Sequence, residues 1–149
     1  MSEWCSITIL LIFGVFFSNC GTFYKADGIY NFSPDFGAYT NAYKEYKKEY
    51  LGTDKIEYAI DIEYMHLSYP KVGECSYTNN KLKPRKIKID YTFWQKSDDE
   101  TRLRLIFHEL GHCDLNCEHQ DDVFGTMNEH ISYSQVKDSE IKALFLECK

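Results

Sequence analysis

The chain has 149 residues, 44% of them hydrophobic and 16% aromatic, which suits one domain with its own core and is short for two. Its net charge of −6 excludes nucleic acid as the main partner. The first nineteen residues hold Glu3 and no lysine or arginine, so the remainder keeps 22 acids against 17 bases, a charge of −5.

Ile7 to Phe17 is an apolar run interrupted by Thr8. As a helix it spans roughly 16 Å, well short of the ~30 Å hydrocarbon core of a bilayer, so residues 1–19 read as a signal peptide rather than a membrane span. The next residues, Phe17-Ser18-Asn19-Cys20-Gly21, resemble a relaxed bacterial lipobox. That resemblance implies that Cys20 is lipidated as the first mature residue, giving an exported, lipid-anchored protein of the cell envelope with the membrane as a partner. Cleavage by ordinary signal peptidase and a retained N-terminal anchor are the alternatives. Residues 20–34 read as anchor and linker, and 35–149 as the folded domain.

With Cys5 removed and Cys20 lipidated, Cys75, Cys113, Cys117 and Cys148 remain, an even number in an exported protein. Two disulfides are expected, with three possible connectivities. Bonds that close long loops stabilise more than a local Cys113–Cys117 bond; of the long-range pairings, Cys75–Cys113 with Cys117–Cys148 is the one preferred here. Four reduced, buried thiols are the alternative.

From Asp35, Tyr39, Tyr43, Tyr46 and Tyr50 recur at helical spacing, predicting a helix that packs this stripe on a sheet and ends at Gly52. An aromatic ligand platform is the other reading of the stripe. Ile56, Tyr58, Ile60, Ile62 and Tyr64 then alternate as in a half-buried strand. A turn at Tyr69-Pro70-Lys71 and Gly73 leads to a short strand around Cys75 to Tyr77, and a further strand is expected through Ile87, Ile89, Tyr91 and Phe93. Lys81, Lys83, Arg85, Lys86 and Lys88 overlap the start of that strand, as a solvated face or guarded edge, or else as a subsite for acidic groups.

Ser97-Asp98-Asp99-Glu100 has the form of a capping box, so a helix begins here, with Leu103, Ile106, Phe107 and Leu110 facing the core. A last helix is expected from Ser134 to about Glu147, carrying Ile141, Leu144 and Phe145 inward. The fold class is therefore α+β: a small mixed sheet with a backing helix, an active-site helix and a C-terminal helix.

The helix from Ser97 also carries His108-Glu109-Leu110-Gly111-His112. Histidines four apart on a helix present both imidazoles on one face, close enough to share an ion, and the intervening glutamate adds a carboxylate beside it. The bland reading is an amphipathic helix with incidental histidines. HELGHCDLNCEH followed by FGTMN resembles the metzincin-type zincin metallopeptidases, and specifically a short bacterial and phage variety with HExxHCxLxxxH.

The resemblance implies one catalytic Zn2+ held by His108, His112 and His119, with Glu109 as general base and Met127 in a Met-turn beneath the metal. Glu118, or a more distant glutamate such as Glu129 or Glu140, is the alternative third ligand. His119 lies seven residues after His112 and the chain must reverse between them without a glycine; Asn116, which tolerates the left-handed conformation, is the residue expected to do so. His130 reads as a surface residue, and Met127 outside a Met-turn would be a core methionine.

The expected activity is hydrolysis of peptide bonds in a peptide or protein substrate by a monomeric zinc endopeptidase. The substrate is expected to lie extended along an edge strand, Arg85 to Tyr91. The competing function is a non-catalytic surface lipoprotein that binds a partner, its structural zinc closed by Cys113 or Cys117 as fourth ligand. A third reading, a redox device, is weakened because CDLNC lacks the short spacing of a thioredoxin-like pair.

Overall fold

Alternation brings Ile60, Ile62, Ile87 and Ile89 to one face of a sheet, where each is at most 1% exposed. Full burial of an aliphatic side chain contributes about 1.5–3 kcal/mol, so these four alone give the sheet a strongly preferred face. In the computed structural model, residues 28–77, 83–120, 125–129, 131 and 135–148 are described; the predicted signal peptide, Cys20 and His130 lie outside them. The architecture is α+β, with four strands, β1 (Gly28–Phe32), β2 (Ala59–Met65), β3 (Gly73–Ser76) and β4 (Arg85–Asp90). Among the described residues four α-helices accompany them: α1 (Gly37–Leu51), α2 (Tyr91–Lys96), α3 (Asp99–Leu110) and α4 (Asp138–Glu147). No helix among the described residues is long and apolar enough to cross a membrane.

The strand order is β1-β2-β4-β3, with β1, β2 and β4 parallel and β3 antiparallel to β4. Three expectations change here. The sheet starts inside the segment read as linker, because Gly28–Phe32 pairs with β2. β4 lies between β2 and β3, so Arg85 to Tyr91 is not an edge for substrate; the edge beside it is β3. β4 also stops at Asp90, whose Oδ1 accepts the Phe93 N–H at 2.8 Å and caps α2, so Tyr91 and Phe93 are helical although their spacing continues the strand pattern.

The interior position of β4 also settles its basic residues. Lys86 and Lys88 point to the outer face, where they lie 3.6 Å from Glu63 and 3.3 Å from Glu74. Arg85 shares the inner face with Ile87 and Ile89 and reaches the Cys113 carbonyl, three residues past the end of α3.

α1 ends at Gly52, which takes φ 73° as expected. Its tyrosine stripe makes its ring contacts with other helices, where the sequence had suggested the sheet: Tyr43 packs edge-on against Phe107 and tilted against Phe145, and Tyr39 edge-on against Trp94. α3 is capped by Asp98 rather than Ser97, its Oδ1 accepting the Thr101 N–H at 2.8 Å. The capping box does not close, because Glu100 instead accepts the Val136 N–H. α4 buries Ile141, Leu144 and Phe145 as expected, starting at Asp138.

Disulfides join Cys75 to Cys113 and Cys117 to Cys148, the pairing favoured from the sequence. Cys75 pairs with Ile87 across β3 and β4 and so faces inward, which is why it meets the end of α3.

Candidate metal centre

His108 and His112 project from the same face of α3 and its continuation, because the α-helix runs into a π-helical turn at Gly111–Leu115 without reversing. The reversal comes at Asn116, with φ 59° and ψ 31°, the left-handed conformation expected of it. There the Cys117 N–H donates to the Gly111 carbonyl at 3.1 Å, and the chain swings back to bring His119 over the helix. The His108 Nε2 then lies 3.1 Å from the His112 Nε2 and 3.2 Å from the His119 Nε2.

The other ring nitrogens define the tautomers. His108 Nδ1 is 2.8 Å from the Thr126 carbonyl, and His112 Nδ1 is 2.6 Å from the Cys117 carbonyl. A carbonyl only accepts, so both Nδ1 atoms carry the proton and both Nε2 lone pairs point at the convergence. Lone pairs this close repel unless a cation lies among them. A metal with nitrogens at 2.0–2.1 Å in tetrahedral array would separate them by about 3.3 Å, so the observed spacing fits one ion. The three histidines together can hold a metal ion.

Burial holds the His108 pKa down at about 4, against the opposing pull of the Thr126 carbonyl, and lowers that of His112 as well. Both are therefore neutral near pH 7, the state a metal ligand requires.

Glu109 is 3% exposed, packed between α3 and the edge strand β3. Burial pushes its carboxyl up to about 8, reinforced by the charge of Glu74 and opposed by the Cys75 backbone N–H and Lys71. Its Oε2 makes no hydrogen bond among the described residues. Gly73 makes the room for it, since a Cβ there would overlap the Glu109 carboxylate and press on Leu105. Read from sequence only as turn punctuation, Gly73 is a site residue for reasons of space.

Met127 is 4% exposed and packs under the helix at Gly111, between the two helical histidines; a Cβ on Gly111 would approach its Sδ to 2.5 Å. The neighbouring Thr126 supplies the acceptor for His108, and the Met127 carbonyl accepts the Gln120 N–H at 3.0 Å. The segment around Met127 therefore braces both the first histidine and the arm that carries His119.

The histidines and Glu109 open on a cleft of about 1020 Å³ lined by Gly73, Glu74 and Cys75 of β3, by Leu67, Val72 and Phe93, and by Tyr77 and Glu118. Glu118 and Glu129 are exposed on this cleft but are not part of the group that converges on one point. Glu140 pairs with Arg104 at 2.7 Å and is thereby engaged elsewhere. Cys113 and Cys117 are both oxidised, so neither sulfur is free to act as a fourth ligand.

The carbonyls of Thr126 and Cys117 had no sequence signal, because every residue has a carbonyl and only the fold selects which one meets a ring. Compared with known proteins, the chain matches no family model, no curated protein and no solved structure.

Proposed function

We propose that the chain is an exported zinc-dependent endopeptidase with Glu109 as its general base. The observation that carries this reading is the buried Glu109 carboxylate, with one oxygen unpartnered among the described residues, beside three converging histidine Nε2 atoms on an open cleft. A closed structural site has no use for a carboxylate there.

Zinc bound by His108, His112 and His119 would supply Lewis acidity toward a substrate carbonyl and acidify a water molecule. Glu109 takes the proton from the attacking water and returns it to the leaving amine. Its desolvated position favours that shuttle, since a carboxyl pushed up toward neutrality binds and releases a proton near working pH. Among the described residues β3 is paired on one side only, so its free edge can add an extended peptide as a further strand along the cleft. Backbone pairing of this kind tolerates many sequences, which suits an endopeptidase. Two disulfides support an oxidising compartment, and the lipid anchor at Cys20 completes the proposed route to the cell envelope. Oxidation of Cys113 and Cys117 weighs against the non-catalytic alternative, which relied on one of them as fourth zinc ligand.

The test is to measure bound zinc and cleavage of a mixed peptide library by the wild type and by Glu109→Gln. Equal zinc with cleavage reduced about 10²- to 10⁴-fold in the variant is the expected result. Undiminished cleavage by the variant would overturn the role of Glu109. Zinc binding with no cleavage by either protein would favour the partner-binding alternative.

A further inference from the structure

Behind the turn that separates the second and third histidines, and away from the cleft, lies a buried ion pair that the peptidase reading does not use. Asp114, two residues after His112, has no exposed side-chain surface, and Lys47 of α1 has 2%; Lys47 Nζ is 2.6 Å from Asp114 Oδ2. The same Oδ2 accepts from the Tyr43 hydroxyl at 3.0 Å, while Oδ1 accepts the Glu57 backbone N–H at 2.7 Å. Lys47 Nζ also donates to the Lys55 carbonyl at 2.6 Å. One carboxylate thus ties the π-helical turn to α1 and to the segment leading into β2.

Buried ion pairs are a poor source of net stability, because desolvation of two charges offsets their attraction; an apolar pair of similar volume commonly does as well or better. What apolar packing lacks is direction. Three donors on one carboxylate fix the position of residue 114 along the chain and the orientation of the turn around it. That turn controls the metal ligands through a short covalent path: Asp114 precedes Asn116, where the chain reverses, and Cys117, whose carbonyl orients the His112 ring and which leads in two residues to His119. On the outer side, Arg85 Nη1 holds the Cys113 carbonyl at 2.8 Å and Asn116 Oδ1 at 2.6 Å, with its guanidinium over the Tyr58 ring. The turn is thus gripped from both sides by a cation.

We infer that Lys47 and Asp114 are positioning residues for the metal: the pair sets the register of the turn so that His112 and His119 meet His108 at one point. This inference rests on the three histidines binding a metal and not on the chain being a peptidase.

The test compares the wild type with Lys47→Met/Asp114→Asn, which removes both charges but keeps an acceptor oxygen for the Glu57 N–H and an amide N–H that can donate to the Tyr43 hydroxyl oxygen. Zinc affinity is measured by chelator competition, ligand geometry by the visible spectrum of the cobalt-substituted protein, and fold stability by the melting temperature of the metal-free protein. The expected result is a fall of about 10- to 100-fold in zinc affinity with an altered cobalt spectrum, while the metal-free melting temperature changes little. Unchanged affinity and spectrum in the folded variant would overturn the inference, as would an affinity loss fully matched by loss of metal-free stability. Should the double variant fail to fold, Tyr43→Phe decides: it keeps the ion pair, removes one hydrogen bond to Asp114, and should weaken zinc by about 2- to 13-fold, the equivalent of a single hydrogen bond worth roughly 0.5–1.5 kcal/mol; no change would sink the inference. A wild type that binds no zinc would instead sink the metal-site reading itself.

Discussion

The two sides of the metal centre are built differently. His108, Glu109 and the start of the π-helical turn belong to a buried helix whose neighbours in sequence are neighbours in space, whereas His119 is exposed and sits on an arm returned to the site by a turn, a disulfide and backbone hydrogen bonds. Helical spacing is enough to bring the first two imidazoles to one face. The third depends on contacts from α1, α4 and the Met127 segment, so its position reports the integrity of the whole fold.

The disulfides offer the strongest way to break this comparison. They span 38 and 31 residues, so each should contribute a similar stability, roughly 4 kcal/mol from loop closure. Their effects on the metal should differ. Cys117→Ala/Cys148→Ala frees the arm and should lower zinc affinity about tenfold or more, while Cys75→Ala/Cys113→Ala, which ties β3 to the helix, should lose comparable stability and keep most of the affinity. Urea melts and chelator competition on the two variants check this, and equal losses of zinc would erase the distinction between helix and arm.

The helix side can be probed through its tightest contact. Gly73→Ala pushes a methyl group into the Glu109 carboxylate without touching a histidine. Displacement of a catalytic group by about 1 Å costs on the order of 100-fold, so kcat should drop by about that factor with zinc content preserved. Steady-state kinetics alongside metal analysis would show it, and a variant with normal kcat would mean that Glu109 has slack.

A smaller effect comes from burial on the same side. In the metal-free protein the Glu109 carboxyl is raised to about 8 from an ordinary 4.5, and the His108 imidazole is lowered to about 4 from 6.5. Native Glu109 holds its proton more tightly than the unfolded chain does, so its contribution is complete below pH 4.5 and is lost as pH rises through 8. Native His108 resists protonation, so its contribution is complete above pH 6.5 and is lost as pH falls through 4. The two oppose each other between about pH 4.5 and 6.5; above that window Glu109 acts alone. Stability of the metal-free protein should therefore fall by roughly 2 kcal/mol from pH 6.5 to 8, and Glu109→Gln should flatten the decline. Denaturant melts at the two pH values on chelator-treated protein measure both.

Sequence alone determined the parts of this protein that rest on short-range geometry. The i, i+4 histidines, the left-handed Asn116, the helical ends at Gly52 and near Glu147, and the alternation of Ile60, Ile62, Ile87 and Ile89 all follow from spacing and residue type. Entropy of long loops also argued against a local Cys113–Cys117 bond, and none forms.

Tertiary structure alone decided that β3 and not β4 is the edge, that Asp90 ends its strand by capping a helix, and that Asp98 rather than Ser97 caps α3. It also decided which carbonyls orient the histidines, that Gly73 leaves space for Glu109, and that Lys47 meets Asp114 from 67 residues away. The physical reason is common to all of them. A backbone carbonyl, a missing side chain or a buried charge has no meaning by itself in a linear pattern; each gains one only when chain reversal places a specific partner within hydrogen-bonding or van der Waals reach.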